Sequence, residues 1–315
     1  MNRGKYRPLF DWQLRTRGLA LGERTLLMAI INLTPDSFSG DGLLSPEGAM
    51  GLAPMAAVTK LAIATAVAAV DAGADIIDLG AESTRPKAVP LSSEVEQDRL
   101  LPVLEGLLRE RPGAIVSVDT YHAATARTAA RAGAEIINDV SGLTWDPAMA
   151  AVVAQSGCGL VLMHSRGRPG DWHAQPPLEA RSIVPVVFAG LCEQIAQAEA
   201  AGIRTQRIVV DPGFGFGKRG QENFSLLAGL RRLHELGRPL LAGLSRKGFL
   251  GEAVQALQAH PMEVAKARRT VTVAANVTAI LAGAHVIRVH DLQAAREAAA
   301  VADAVLEEQG IGDRG

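Results

Sequence analysis

Eight short apolar runs, each carrying a polar residue at or near its end, recur along this chain at intervals of about one helix. They are Leu26–Asn32, Asp75–Gly80, Ala114–Asp119, Glu135–Val140, Gly159–His164, Arg207–Asp211, Pro239–Ser245 and His285–His290. The runs are nearly continuous in Val, Ile and Leu rather than alternating, the pattern of parallel strands covered on both faces. Ala-rich segments of helical length separate them. Eight such repeats in 315 residues predict one closed (β/α)8 barrel rather than a six-stranded open sheet. The whole chain, 1–315, reads as a single barrel domain. Residues 1–25 form an N-terminal extension, in which Gly18–Gly22 is expected to be a short hairpin plugging the barrel's N-terminal face.

Punctuation between the runs agrees with this. Asn223–Leu236 predicts a helix with Leu226, Leu230 and Leu233 on one stripe and Gly237 as its cap. Ala72-Gly73-Ala74, Ala132-Gly133-Ala134 and Ala282-Gly283-Ala284 each precede a strand, where a glycine can end a helix.

Bulk properties exclude several classes. A formal net charge of −1 gives nucleic acid or an anionic membrane no general handle. The early basic residues Arg3, Lys5, Arg7, Arg15 and Arg17 are too scattered to make a patch. Cys158 and Cys192 form no Cys-x-x-Cys pair and are expected to be packing residues in a reducing, cytoplasmic setting. Asp11 and Gln13 break the first apolar stretch, and Thr65, Asp71 and Asp75 interrupt the longest one, Leu61–Ile77, so neither reads as a leader or a membrane span.

The strand ends carry Asn32, Asp78, Asp119, Asn138, His164, Asp211, Ser245 with Lys247, and Arg288 with His290. In a barrel these converge on one rim, where sites of this fold lie. So many polar groups leaving water together need partners, which points to a binding site. Asp119 and Asp211 only accept hydrogen bonds, while Asn138 donates and accepts. That set suits the edge of a planar heterocycle bearing N–H and NH2 groups and would repel a phosphate; ligation of a divalent metal by Asp78 and Asp119 is the alternative. Arg288 and His290, two apart on the last strand and next to Asn32 on the first, suit an oxyanion.

The stretch Gly213-Phe-Gly-Phe-Gly-Lys218 imitates a phosphate loop without being one. Its glycines are one residue too close, Arg219 replaces the hydroxyl residue, and Lys218 occupies the third glycine of a dinucleotide fingerprint. These glycines are expected to let backbone crowd a flat ligand, with Phe214 or Phe216 lining an aromatic slot.

The chain resembles the dihydropteroate synthase family, folate-pathway enzymes inhibited by sulfonamides. The likeness runs from about residue 18 to 305 and rests on "IINLTPDSFSGDG", "GADIIDLGAESTRP", "VSVDT", "AEIINDVSG", "LMHSRG", "VVDPGFGFGK", "GLSRKGFLG" and "VIRVHDL", in order at successive strand ends. The resemblance implies condensation of 7,8-dihydropterin-6-ylmethyl diphosphate with 4-aminobenzoate, releasing pyrophosphate. By the same resemblance, Asp119, Asn138, Asp211 and Lys247 hold the pterin, and Arg288 stacks on its face. Asn32, Arg288 and His290 take the diphosphate, with Mg2+ bridging Asn32 and phosphate oxygens. Thr84, Arg85, Pro86, Phe216, Ser245 and Lys247 form the aminobenzoate slot. Asp119, Lys247, Arg288 and His290 carry the main electrostatic role. A homodimer through the late helices is also implied.

Three features depart from the family pattern. Asp41 falls one residue late in the first loop, Leu43–Val58 is long, and Lys87 stands where glycine is usual. Two other readings compete: a methyl-folate methyltransferase on the same barrel, which would lack the Ser245-Arg-Lys247 and Arg288-Val-His290 segments, and a pterin-binding paralogue without activity.

Overall fold

The computed structural model describes residues 7–33, 55–82, 90–172, 174–255 and 261–312. An antiparallel hairpin, β1 (Phe10–Gln13) and β2 (Gly18–Leu21), comes first. The barrel strands follow: β3 (Leu26–Asn32), β4 (Ile76–Gly80), β5 (Val116–Asp119), β6 (Ile136–Asp139), β7 (Gly159–Met163), β8 (Ile208–Asp211), β9 (Leu241–Ala242) and β10 (Val286–Val289). All eight run parallel in the order β8-β7-β6-β5-β4-β3-β10-β9, and a bridge between Val210 and Leu240 joins the two ends. The expected barrel is therefore present. The seventh run yields only two strand residues of the seven between Pro239 and Ser245, because its last part turns away to build the site.

Helices α1 (Met55–Asp71), α2 (Ser93–Glu110), α3 (Ala123–Ala132), α4 (Met149–Ser156), α5 (Ile183–Ala200), α6 (Gly220–Ala228), α7 (Gly248–Val254), α8 (Pro261–Leu281) and α9 (Leu292–Gly312) surround the strands. In α2 the reasons are local. Ser92 caps the first turn by accepting from Val95 N, and Glu94 and Glu96 sit where the helix dipole favours negative charge. Leu100, Val103, Leu104 and Leu107 then bury one face. Gly73, Gly133 and Gly283 take φ of 90°, 114° and 100°, so the three Ala-Gly-Ala signals mark helix ends as expected.

The predicted helix Asn223–Leu236 is corrected. It breaks at Gly229, leaving α6 and a separate 3-10 turn at Leu230–Leu236 that ends on left-handed Gly237. The leucine stripe survives the break, since Leu226, Leu230 and Leu233 are all buried. Helix α5 is long and apolar enough to cross a membrane by length and composition alone. Here it packs on the barrel through Ile183, Val187, Leu191 and Ala198.

Strand alternation sorts the core into two compartments. Leu27, Ile77, Val118, Ile137, Leu160, Val210 and Ile287 face the helices. Leu26, Met28, Ile76, Ile136, Val161, Val209, Leu241 and Val286 fill the barrel interior, together with Trp12, Leu14 and Leu21 of the hairpin region. The hairpin thus closes the N-terminal end as predicted, although it begins at Phe10 rather than Gly18. Trp12 Nε1 donates to Arg207 O at 2.8 Å, which satisfies the indole in an otherwise dry floor. Cys158 is buried, but Cys192 is exposed on α5, so the expectation that both pack is corrected.

Candidate active site

Above that floor the barrel interior turns polar. The register aligns Asn32 with Gly80, Gly80 with Asp119, and Asp119 with Asn138, a row across β3 to β6 at one height. Asp78 lies two residues below Gly80 on the same inward face. Gly80 contributes no side chain, and a Cβ there would sit 3.5 Å from the Cβ of Asp119. The alternation that puts Ile76 and Ile136 inward also sends Asp78 and Asn138 inward, where they meet: Asn138 Nδ2 donates to Asp78 Oδ2 at 3.2 Å.

Arg288 joins this group from across the barrel. Its Nε donates to Asp78 Oδ2 and its Nη2 to Asp119 Oδ2, both at 2.6 Å. Burial works against the guanidinium charge, but Asp78 and Asp119 outweigh it and raise its pKa. Burial likewise pushes the Asp119 carboxyl up, with Arg288 the main opposing influence. The carboxylates read as a heterocycle edge and the arginine read as an oxyanion partner are therefore not separate groups: Arg288 is threaded between Asp78 and Asp119. It occupies the place that a metal ion would take in the alternative reading of that pair.

Asp211 ends β8 and stands near Lys247. Its Oδ1 accepts from Gly213 N at 2.7 Å, and burial raises its pKa despite that bond and the nearby lysines. Lys247 Nζ sits 4.1 Å from the centre of the Phe216 ring, a cation–π distance. Burial lowers the Lys247 pKa to about 8, with Asp211 opposing. Ser245 and His290 form a pair of their own, with Ser245 Oγ 3.2 Å from His290 N and 3.0 Å from His290 Nδ1.

Gly213, Gly215 and Gly217 all have left-handed φ, 66°, 80° and 67°. They let the loop press against the protein's own backbone and side chains. A Cβ on Gly213 would lie 2.0 Å from His164 O, and one on Gly217 would lie 2.7 Å from Arg166 O. Of the two phenylalanines, Phe214 enters the outer core and Phe216 lines the mouth, with Trp172 edge-on at 5.3 Å. Lys218 points inward and donates to Gly213 O (2.7 Å), His164 O (3.0 Å) and Phe216 O (3.2 Å). It ties two loop carbonyls to that of His164, as a phosphate-loop lysine would not, and burial lowers its pKa to about 7.

His164 does not reach the rim. It follows inward-facing Met163, so its ring turns to the helix layer, where a Cβ on Gly190 of α5 would come within 2.6 Å of it. Thr84, Arg85 and Pro86, with Asp41, Lys87 and residues 43–54, lie outside the described residues; Met55–Val58 open α1. Sequence reading missed Asn223, whose Oδ1 accepts from Gly215 N at 2.7 Å while its Nδ2 donates to Lys218 O and Arg219 O. It also missed Asp139, which faces outward and accepts from Ser141 N (2.8 Å) and Leu143 N (2.7 Å) to hold the turn after Asn138.

The profile of the pterin binding enzyme family matches residues 28–290. The dihydropteroate synthase of Synechocystis is 38% identical over 297 residues, covering 94% of this chain and 92% of that protein. That of Escherichia coli K12 is 39% identical over 280 residues, covering 89% and 91%. The mitochondrial folate synthesis bifunctional protein of Pisum sativum is 36% identical over 96% of this chain, which spans only 55% of that protein's length. Among solved structures, Xanthomonas albilineans dihydropteroate synthase with 4-aminobenzoic acid superposes with a TM-score of 0.78 at 38% identity, covering 94% of this chain and 98% of that one. A pterin-binding profile over most of the barrel, and synthases matched nearly end to end, establish that this chain belongs to the dihydropteroate synthase family.

Proposed function

We propose that the protein condenses 7,8-dihydropterin-6-ylmethyl diphosphate with 4-aminobenzoate to give 7,8-dihydropteroate and pyrophosphate. The observation that carries this reading is the polar layer of Asp78, Asp119, Asn138, Asp211, Lys247 and Arg288 above a sealed apolar floor. Its acceptors match the N–H and NH2 edge of a pterin, and its one flat cation matches the ring face. The Xanthomonas albilineans enzyme has also been solved with 7,8-dihydropteroate.

In this reading Asp119, Asn138 and Asp211 receive the heterocycle's donors, and Lys247 donates to it. The guanidinium of Arg288 lies against the ring, held flat by its two carboxylates. The diphosphate extends towards Asn32, Arg288 and His290. Aminobenzoate occupies a slot at Phe216 and Lys247, to which the family resemblance adds Thr84, Arg85 and Pro86. The methylene C–O bond breaks and its electron pair leaves on the diphosphate. The pterin delocalises the positive charge, and the arylamine nitrogen forms the new C–N bond and sheds a proton. Charge on the leaving oxygens is the principal demand, and fixed donors meet it without reorganising. The arylamine needs only position and a dry slot; no side-chain nucleophile takes part.

Mg2+ belongs to the same reading. Asn32 is half-buried at its strand end and offers one neutral, hard oxygen, and among the described residues no three His, Cys, Asp or Glu side chains form a metal cage. That donor set fits an ion held mostly by water and substrate phosphates. When bound, it would neutralise charge on the leaving group. The unpaired thiols Cys158 and Cys192 support a cytoplasmic setting. Val301 and Val305, 63% and 40% exposed on α9, support a homodimer through that late helix.

One assay tests the reaction. Purified protein, Mg2+, the pterin diphosphate and aminobenzoate should give dihydropteroate and pyrophosphate in equal amounts. Pterin binding without product would mark a paralogue, and methyl transfer to a cobalt acceptor would mark the methyltransferase; either result would overturn the proposal.

A further inference from the structure

Ser245 sits at the tightest turn of the rim. Lys247 N donates to Leu244 O at 3.3 Å, so Ser245 and Arg246 are the two central residues of a β-turn. Arg246 has φ of 58°, a left-handed conformation that a non-glycine residue adopts at a cost. That turn brings the Ser245 hydroxyl to His290 on the neighbouring strand, where it meets both the backbone N–H (3.2 Å) and ring Nδ1 (3.0 Å).

A serine hydroxyl has one proton and two lone pairs. The His290 N–H takes one lone pair. Beside a neutral imidazole, the remaining proton is best placed on Nδ1, and the ring proton then resides on Nε2. Beside an imidazolium, the hydroxyl rotates and accepts from Nδ1–H instead. In both states Nε2 carries a proton, so the ring presents an N–H donor. An aminobenzoate carboxylate only accepts hydrogen bonds, and with the neutral ring in place Ser245 has no proton to give it.

We infer that Ser245 is a positioning residue for His290, fixing the imidazole as an Nε2–H donor to the departing diphosphate, rather than a contact for the aminobenzoate carboxylate. The inference rests on reading this rim as the pterin diphosphate site. It explains why a strained turn is kept there: the strain holds the hydroxyl on the neighbouring strand's histidine while Lys247, two residues on, faces Asp211.

The experiment uses the full chain with Mg2+ and compares it with Ser245→Ala and Ser245→Thr. Binding of inorganic pyrophosphate is measured by calorimetry, KM is measured for each substrate, and the His290 ring is observed by 15N NMR, assigned through His290→Gln. In the unmutated protein the neutral ring should show protonated Nε2 and bare Nδ1. Ser245→Ala should weaken pyrophosphate binding and raise KM for the pterin diphosphate by about tenfold, as for one lost hydrogen bond. The KM for aminobenzoate should stay within about twofold, and Ser245→Thr, which keeps the hydroxyl, should restore pyrophosphate binding. A ring protonated on Nδ1 in the unmutated protein would overturn the inference even if the alanine variant does not fold. A raised aminobenzoate KM with unchanged pyrophosphate affinity would overturn it too. Failure of the parent reading looks different, because the unmutated protein would then make no dihydropteroate while the tautomer could still be read.

Discussion

Arg288 bridges Asp78 and Asp119, with one guanidinium nitrogen 2.6 Å from each carboxylate. The two carboxylates are not equivalent. Asp78 is fully buried and also receives Asn138, whereas Asp119 keeps some exposure towards the mouth. Asp78 therefore anchors the arginine, and Asp119 is the one placed to meet a ligand.

Asp78→Asn should accordingly be the more disruptive change for folding. It leaves Arg288 half-paired in the interior, and loss of one partner of a buried ion pair costs about 3–5 kcal/mol. Because Asp119 still holds the guanidinium, the lower end of that range is expected, read as the shift in urea midpoint. Asp119→Asn should cost less stability but weaken pterin binding by about 1.5–3 kcal/mol, the effect of losing a charged acceptor. Equal stability losses for the two variants would contradict the anchoring order.

Lys247 gives a pH prediction. Burial lowers its pKa to about 8, so the ammonium persists below that value and is lost as pH rises through it. For activity, kcat/KM should fall with an alkaline limb near pH 8. Lys247→Arg should move that limb well upward, since arginine stays charged. For stability the sign is opposite. The unfolded lysine still binds its proton up to about 10.5, so stability attributable to this residue rises between pH 8 and that value. A limb unmoved in the arginine variant would assign the titration to another group.

How much of this was legible beforehand depends on which physical signal was used. The continuous apolar runs and the polar residues ending them disclosed the barrel and the members of its rim, because parallel strands buried on both faces leave no other pattern. Strict alternation would also have excluded His164, one residue beyond inward-facing Met163, and flagged Asp139 as outward-facing. The destination of Arg288 was not readable. Its side chain crosses the barrel to Asp78 and Asp119, and sequence spacing carries no distance across a barrel. The partners of Lys218 were unreadable for a similar reason. A lysine after glycines imitates a phosphate ligand, and sequence excluded that role without showing that its three bonds go to the carbonyls of Gly213, Phe216 and, across the loop, His164. The break at Gly229 was hidden because a 3-10 turn keeps Leu230 and Leu233 on the same buried side as a helix would.

His285 predicts acid sensitivity at the barrel seam. Leu240 N donates to its Nδ1 at 3.0 Å, so Nε2 carries the proton and donates to Pro8 O at 3.0 Å. Leu240 is the residue bridging to Val210 where the barrel closes. Burial lowers the His285 pKa to about 3, and His234 and Arg7 add to that effect. Above pH 6.5 the ring is neutral folded and unfolded, so it contributes no slope. Between 6.5 and about 3 only the unfolded chain takes up the proton, and stability should fall by up to ~1.4 kcal/mol per pH unit. His285→Gln should be less stable at pH 7 yet lose less on acidification, as read from thermal midpoints at pH 7 and 4.5. Parallel losses in both proteins would exclude His285 as the acid sensor.

Arg246→Gly separates stability from function at one position. The φ of 58° is costly for arginine and free for glycine, so relieving it should add about 1 kcal/mol if nothing else changes. Glycine also enlarges the conformational freedom of the unfolded chain, which takes back part of that gain. The net effect on the melting temperature should be small. The effect on catalysis should not be small, because the turn that aims Ser245 at His290 and Lys247 at Asp211 would then have other conformations open to it. A fall in kcat of about tenfold is expected from modest misplacement of such groups. Arg246→Ala, which keeps a Cβ and hence the strain, should retain the turn and most of the activity. If alanine and glycine lowered kcat equally, the arginine side chain rather than the turn would be the source of the loss.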